Sequence, residues 1–383
     1  MKASWPQVPI GEFLTPVREP IAIRDDVEYK QITVSLHGRG VRLRQVVWGT
    51  AIETKSQYLA RAGQFIYSRI DARNGAMGIV TDDLDGAVVT GDFPTFAFDL
   101  DTVEPRFFEY LAKTKSFEEA CRAPSRGITN RKRLKEPEFL AIRIALPPLP
   151  EQRRIAAKID QIVARADEAR RFVQQIEDEQ SALLLRRVEE LSQGAPRAPM
   201  SEVAPVVRRP VDVQPSEWYP ELGIRSFGKG TFHKEAIKGS ELGSKRIYRI
   251  EPGDLLFSNV FSWEGAIAVV QPEDKGRFGS HRFITCVPDP NRATAEFLCY
   301  YFLTDEGLGE IRAASPGAAG RNKTLGVKKL EEIEVPLPPV TKQRDFCELL
   351  RRLRMANSIH SQTAASLDHF MPALLDHAFR GEL

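Results

Sequence analysis

Residues 142–154 read IRIALPPLPEQRR, and residues 333–345 read IEVPLPPVTKQRD. In both stretches a short apolar alternation runs into paired prolines and then into a Gln-Arg step. Proline fixes its own φ, removes a backbone donor and pushes the preceding residue out of the helical region. Neither strand nor helix should therefore pass through Pro147-Pro148 or Pro338-Pro339, and each stretch is expected to act as an extended elbow with a helix beginning just after it. The two elbows lie 191 residues apart, close to half of a 383-residue chain.

Most of the remaining sequence falls into the same register. Pro9, Glu12, Arg18, Pro20, Tyr29, Gly38 and Gly40 align with Pro199, Glu202, Arg208, Pro210, Tyr219, Gly228 and Gly230, all at an offset of 190. GQFIYSRIDARNGAMGIV from Gly63 lies over GDLLFSNVFSWEGAIAVV from Gly253, and PRFFEYL from Pro105 lies over AEFLCYY from Ala295. A register kept over so many residues identifies an internal duplication. Within the aligned pair, short apolar and aromatic runs flank Asn74-Gly75 and Glu264-Gly265, which predicts a hairpin in each copy.

The helices after the elbows are long. Ile155, Ile159, Ile162, Ala166, Ala169, Val173 and Ile176 follow the 4-3 spacing of a heptad seam, which resumes at Leu184, Val188 and Leu191. No glycine or proline occurs from Glu151 to Gln193, so one helix of about 42 residues, ~60 Å long, is predicted over 151–192, ended by Gly194 and Pro196. The second runs from about Thr341 to Phe379 with Phe346, Leu350, Leu353, Ala364, Leu367, Met371, Leu374 and Ala378 on its seam. Asn357 and His360 fall on that seam as register-fixing polar residues, and Pro372 is expected to kink the helix or start a new one. The resulting plan is α+β and pseudo-two-fold: a domain over 1–150, a helix over 151–192, a second domain over 193–340 and a helix over 341–383, with the two helices forming an antiparallel coiled coil.

Composition limits the function. Four cysteines without a CxxC pair argue against a disulfide framework or zinc knuckle and fit a reducing cytoplasm. No 18-residue apolar stretch and no leader-like N-terminus point to a membrane or to export. With 54 Lys+Arg against 52 Asp+Glu, total charge makes no case for nucleic acid, but its distribution does. CRAPSRGITNRKRLK from Cys121 and RAASPGAAGRNKTLGVKK from Arg312 are both free of acids, and Gly38-Arg39-Gly40 matches Gly228-Lys229-Gly230. Basic side chains on glycine loops can approach a phosphate backbone closely. In the hairpins the frame is kept while Arg69, Asp71 and Arg73 become Asn259, Phe261 and Trp263, the pattern of a reader that keeps its scaffold and changes its base contacts.

No phosphate-binding loop, HExxH, GxSxG or clustered histidine set is present. One enzymatic alternative stays open, a metal-dependent nuclease built on Asp254, Glu273 and Lys275; another is a coiled-coil scaffold that never touches DNA.

Two such units, each followed by an elbow and helix of the LPPLPEQRRIAAKID type, with a chain ending in AFRGEL, resemble the specificity subunit of a type I restriction-modification system. The second elbow departs from the pattern, since Val340-Thr341-Lys342-Gln343 lacks the Pro-Glu before Gln. The resemblance implies two target recognition domains, each binding half of a split site on double-stranded DNA, with the helical spacer setting the gap. It also implies partners: two methyltransferase subunits that bind S-adenosylmethionine, and restriction/translocase subunits using ATP and magnesium, with no cofactor on this chain. Carried over by position, the DNA-contact candidates are Arg39, Arg69, Arg73, Arg126, Arg131 and Lys132 in the first domain, and Lys229, Asn259, Trp263, Arg321, Asn322 and Lys323 in the second.

Overall fold

The structure is a computed structural model that describes residues 5–123, 133–317 and 323–379, without the side chains of 358–369 and 371. The chain forms two compact units, residues Met1–Arg170 with Thr363–Leu383, and residues Arg171–Gln362.

In the first unit a five-stranded sheet runs in the order Pro20–Ala22, Ser56–Ala60, Ala87–Val89, Glu28–Val34, Val41–Trp48. Its two faces are both covered. Ile32 and Val34 pack with Ile66, Ala76 and Val80, whereas Tyr29, out of phase with them along the pleat, packs with Ile23, Ile52 and Val88. A second sheet orders Leu14–Val17, Thr95–Phe98, Phe65–Tyr67 and Met77–Ile79. Beneath it lies an aromatic core in which Phe65 stacks on Phe139 with ring centres 5.9 Å apart and meets Phe108 edge-on at 5.0 Å. Ile155, Ala156 and Ile159 of the first long helix and Leu374, Leu375 and Ala378 of the second enter this same core.

The second unit repeats the plan. Trp218–Ile224 pairs with Thr231–Lys238 and Phe278–Ser280, and Leu255–Ser258 lies between Ile267–Val269 and Phe283–Cys286. Two strands of the first unit survive here only as single bridges, Val206 to Cys286 and Pro210 to Tyr248. The irregularity between Gln31 and Ile32 recurs between Pro220 and Leu222. Leu184 and Val188 of the first long helix and Phe346 and Leu350 of the second belong to this unit's core. In each unit, then, the start of one long helix and the end of the other share one hydrophobic cluster.

The long helices span Leu149–Ser192 and Val340–Phe379. The first begins before Pro150, because a proline in the first turn would have no intrahelical N–H bond to lose; the Pro148 carbonyl accepts from the N–H groups of Glu151 at 2.9 Å and Gln152 at 3.1 Å. No new helix starts at Pro372, which lies inside the second. The seam of the first helix is buried at Ile155, Ile159, Ala166, Leu184 and Val188, but Ala169 is exposed and Ile176 is 38% exposed. Its ends are core elements of the two units, and that is what keeps those positions apolar. On the second seam Leu353 and Asn357 are half-buried, while the side chains of His360, Ala364, Leu367 and Met371 lie outside the described residues.

Each elbow is bolted to its unit by the glutamine that closes it. Gln152, fully buried, accepts the Glu104 N–H at 2.9 Å and donates to the carbonyls of Thr102 at 3.0 Å and Pro147 at 2.8 Å. Gln343 does the same with the Thr294 N–H at 2.9 Å, the Arg292 carbonyl at 3.1 Å and the Pro338 carbonyl at 2.8 Å.

The cysteines carry thiols. Burial pushes Cys121, Cys286 and Cys299 up to about 12 and Cys347 up to about 11. At pH 8 all four should therefore react with a thiol reagent at least roughly a hundredfold more slowly in the native chain than in denaturant, since the thiolate is the reactive form. A thiol titrating rapidly under native conditions would contradict this burial. Among the described residues no helix is long and apolar enough to cross a membrane.

Candidate nucleic-acid interface

The hairpins form as expected, Phe65–Tyr67 with Met77–Ile79 and Leu255–Ser258 with Ile267–Val269, but each is joined by a short 3-10 turn, Ala72–Asn74 or Ser262–Glu264. The turn closes on a glycine in the left-handed region, Gly75 at φ 73° or Gly265 at φ 77°. At Gly75 a Cβ would stand 2.6 Å from Glu118 Oε1 and 3.0 Å from the Gly38 nitrogen, so both conformation and space require glycine.

The turn is gripped by the glycine loop. His37 donates its N–H to the Asn74 carbonyl at 2.7 Å and Gly38 to the Gly75 carbonyl at 3.0 Å. In the second unit Phe227 donates to Glu264 at 2.8 Å and Gly228 to Gly265 at 2.9 Å. His37 and Phe227 themselves sit at φ 58° and 61°, an uncommon conformation for residues with a Cβ, and the same one in both copies. Arg39 and Lys229, on the gripping loops, are exposed, whereas Arg73 and Trp263, on the gripped turns, are half-buried.

The other candidates divide. Arg69 is turned inward: its guanidinium pairs with Glu136, which also takes Arg18 at 2.7 Å, at the wall of a cavity of about 140 Å³ shared with Tyr58 and Phe93. Asn259, its counterpart, is half-buried. The two backbones are held alike, Arg69 N–H to the Asp92 carbonyl at 2.9 Å and Asn259 N–H to the Arg282 carbonyl at 2.7 Å. Trp263 donates its indole N–H to the Val260 carbonyl at 2.9 Å, and Lys323 Nζ stands 4.8 Å above its ring, a cation–π contact. Arg126, Arg131, Lys132, Arg321 and Asn322 lie outside the described residues.

Two residues outside the candidate set join the site. Arg122 donates Nε to the Arg73 carbonyl at 2.9 Å, and Arg312 donates Nε to the Trp263 carbonyl at 3.3 Å. Their offset of 190 was visible in the sequence, but nothing there indicated that a turn carbonyl receives them.

The nuclease candidates do not assemble into a site. Asp254 is 3% exposed, and its carboxylate receives Arg209 at 2.6 and 3.1 Å and the Glu251 N–H at 2.8 Å. Its oxygens are spent on the fold. Among the described residues no group of three or more His, Cys, Asp or Glu could hold a metal ion.

Duplicated α+β units with recurrent elbows, long helices and repeated loop-and-turn grips define a tandem-repeat protein. The chain belongs to the family of the type I restriction modification DNA specificity domain, which matches residues 4–177 and again residues 203–369. It is 23% identical over 312 residues to the Type I restriction enzyme EcoKI specificity subunit of Escherichia coli (strain K12), a match covering 72% of this chain and 65% of that subunit, somewhat under two thirds of its length. The fold is shared with a chain from a structure described as the structural basis of complex assembly and conformational transition of the type I R-M system, with TM-score 0.65 and 20% identity over 100% of this chain and 99% of that one. It is also shared with the HsdS subunit from Thermoanaerobacter tengcongensis, with TM-score 0.53 and 19% identity over 100% and 98% of the two chains.

Proposed function

We propose that this chain is the non-catalytic DNA sequence-recognition subunit of a type I restriction-modification complex, acting in the cytoplasm. Each unit reads one half of a bipartite site on double-stranded DNA, and the long helices set the gap. Methyltransferase and restriction/translocase subunits, carrying the S-adenosylmethionine, ATP and magnesium chemistry, dock on it. The observation that carries this reading is the repeated grip of glycine loop on turn: one backbone frame, built twice, exposes Arg39 in one copy and Lys229 in the other, with half-buried Arg73 and Trp263 on the gripped turns. Constant backbone with changed side chains is what two readers of different sequences require, with the basic residues on phosphate and the turn side chains on base edges. Asn259 and Lys323 extend the second face, and Arg69 must leave Glu136 before it can contact DNA.

Exchange of residues 1–150 for the corresponding domain of another family member should change one half of the methylated motif and leave the other half and the gap unaltered. Methylated-base sequencing reads the outcome. A change in both halves, or in neither, overturns the two-reader assignment.

A further inference from the structure

Three consecutive carbonyls of each turn are held from outside it. In the first unit Arg73, Asn74 and Gly75 receive Arg122 Nε, His37 N–H and Gly38 N–H. In the second, Trp263, Glu264 and Gly265 receive Arg312 Nε, Phe227 N–H and Gly228 N–H. Every acceptor is backbone, so the grip is indifferent to which side chains the turn displays. Four of the six donors are backbone as well. The remaining two are Arg122 and Arg312, from Lys115–Arg122 and Asp305–Ala313, short helices that follow a threonine cap in both units. Arginine is kept at this position although the residue it holds changes from Arg73 to Trp263. In the first unit Arg122 is itself braced, with Nη2 4.0 Å from Glu118, the residue that also fills the space beside Gly75.

We infer that Arg122 and Arg312 are positioning residues, each fixing the aim of one recognition turn and so the fidelity with which one half-site is read. This rests on the reading of the chain as a DNA-sequence reader. Side chains that select a base edge must be held within a fraction of an ångström, and a donor that locks the carbonyl at the tip of the turn supplies that constraint. A purely structural arginine would alter stability and leave the ratio of the two half-sites unchanged.

The test uses the full chain assembled with its methyltransferase partner and maps methylated bases genome-wide for wild type, Arg122→Gln, Arg122→Lys and Arg312→Gln. Arg122→Gln should raise methylation at sites with one mismatch in the first unit's half by about tenfold, within the range a single base contact discriminates, and leave the other half as in wild type. Arg312→Gln should do the reverse. Arg122→Lys, which keeps a donor, should fall between. Equal relaxation of both halves, or none in variants that melt like wild type, overturns the inference; if Arg122→Gln melts early, Arg122→Lys is judged by the same criterion. The domain exchange described above assigns the halves. An exchange that leaves the motif unchanged defeats the DNA-reader assignment, whereas a successful exchange with unaltered fidelity in the arginine variants defeats the positioning role alone.

Discussion

Replacing Gln152 by leucine should lower the stability of the first unit by about 3–5 kcal/mol, among the most costly single changes in the chain. The side chain is fully buried, and its loss strands the Glu104 N–H and the carbonyls of Thr102 and Pro147. Each unsatisfied buried group costs about 1–3 kcal/mol, against a total stability of roughly 5–15 kcal/mol for a domain. For a unit of this size the melting temperature should fall by roughly 10 °C. Gln152→Glu separates hydrogen bonding from packing: it keeps the acceptor for Glu104 but replaces the NH2 that donates to both carbonyls by an acceptor oxygen facing them, and it should be at least as damaging as leucine. Gln343→Leu should repeat the effect in the second unit. A fall of less than about 2 °C would mean that water replaces the lost bonds and that the elbow is not bolted by its glutamine.

This role explains which parts of the elbow sequence hold between copies. Glu151 is replaced by Lys342 and Pro150 by Thr341 without disturbing the helix start, because the first turn needs neither. The glutamine is retained because it bonds three backbone groups, two of them in the domain body and one in the elbow.

The duplication, the hairpins and the two long helices were legible in the sequence because they depend on local spacing: apolar residues at heptad intervals, prolines at fixed places, glycine after the turn. The docking of loop on turn was not, because it consists of backbone bonds between segments nearly forty residues apart. Its sequence trace at the apex is His37 against Phe227, two residues with nothing in common except a left-handed φ that neither favours. Arg69 looked like Arg39 in sequence, each a basic residue beside a turn, and only the fold separates them by supplying Glu136 to one. Likewise the heptad pattern gave the helix but not the domain cores it enters: Ile155 and Val188 lie on one seam, yet each joins the core of a different unit together with residues of the other long helix.

The comparison of copies also exposes a charge reversal with a large expected consequence. In the first unit Glu19 pairs with Arg61, a contact that holds the Glu19 carboxyl below the usual carboxylate range, and Gln64 Oε1 accepts the Arg61 N–H at 3.0 Å. At the corresponding places in the second unit stand Arg209, Glu251 and Asp254. Asp254 again accepts the N–H of the residue three before it, Glu251, at 2.8 Å, but now binds Arg209 as well. The position of Glu19 has become Arg209, and its ion-pair partner has moved from the position of Arg61 to that of Gln64, now Asp254. Arg209→Glu alone would set two further carboxylates, the new one and Glu251, beside buried Asp254, and removing one partner of such a pair costs about 3–5 kcal/mol; because Arg209 is partly exposed, about 3 kcal/mol is the expected loss. The triple variant Arg209→Glu, Glu251→Arg, Asp254→Gln installs the first unit's arrangement and should recover stability to within about 1 kcal/mol of wild type, a coupling that independent sites would not show. Denaturant midpoints for the single and triple variants measure it. Recovery would establish that the second unit accepts the first unit's ion pair at this position, with Asp254 serving in the native chain as a cap and ion-pair partner. A triple variant no more stable than Arg209→Glu would mean that the surroundings have diverged too far for the arrangement to be transplanted.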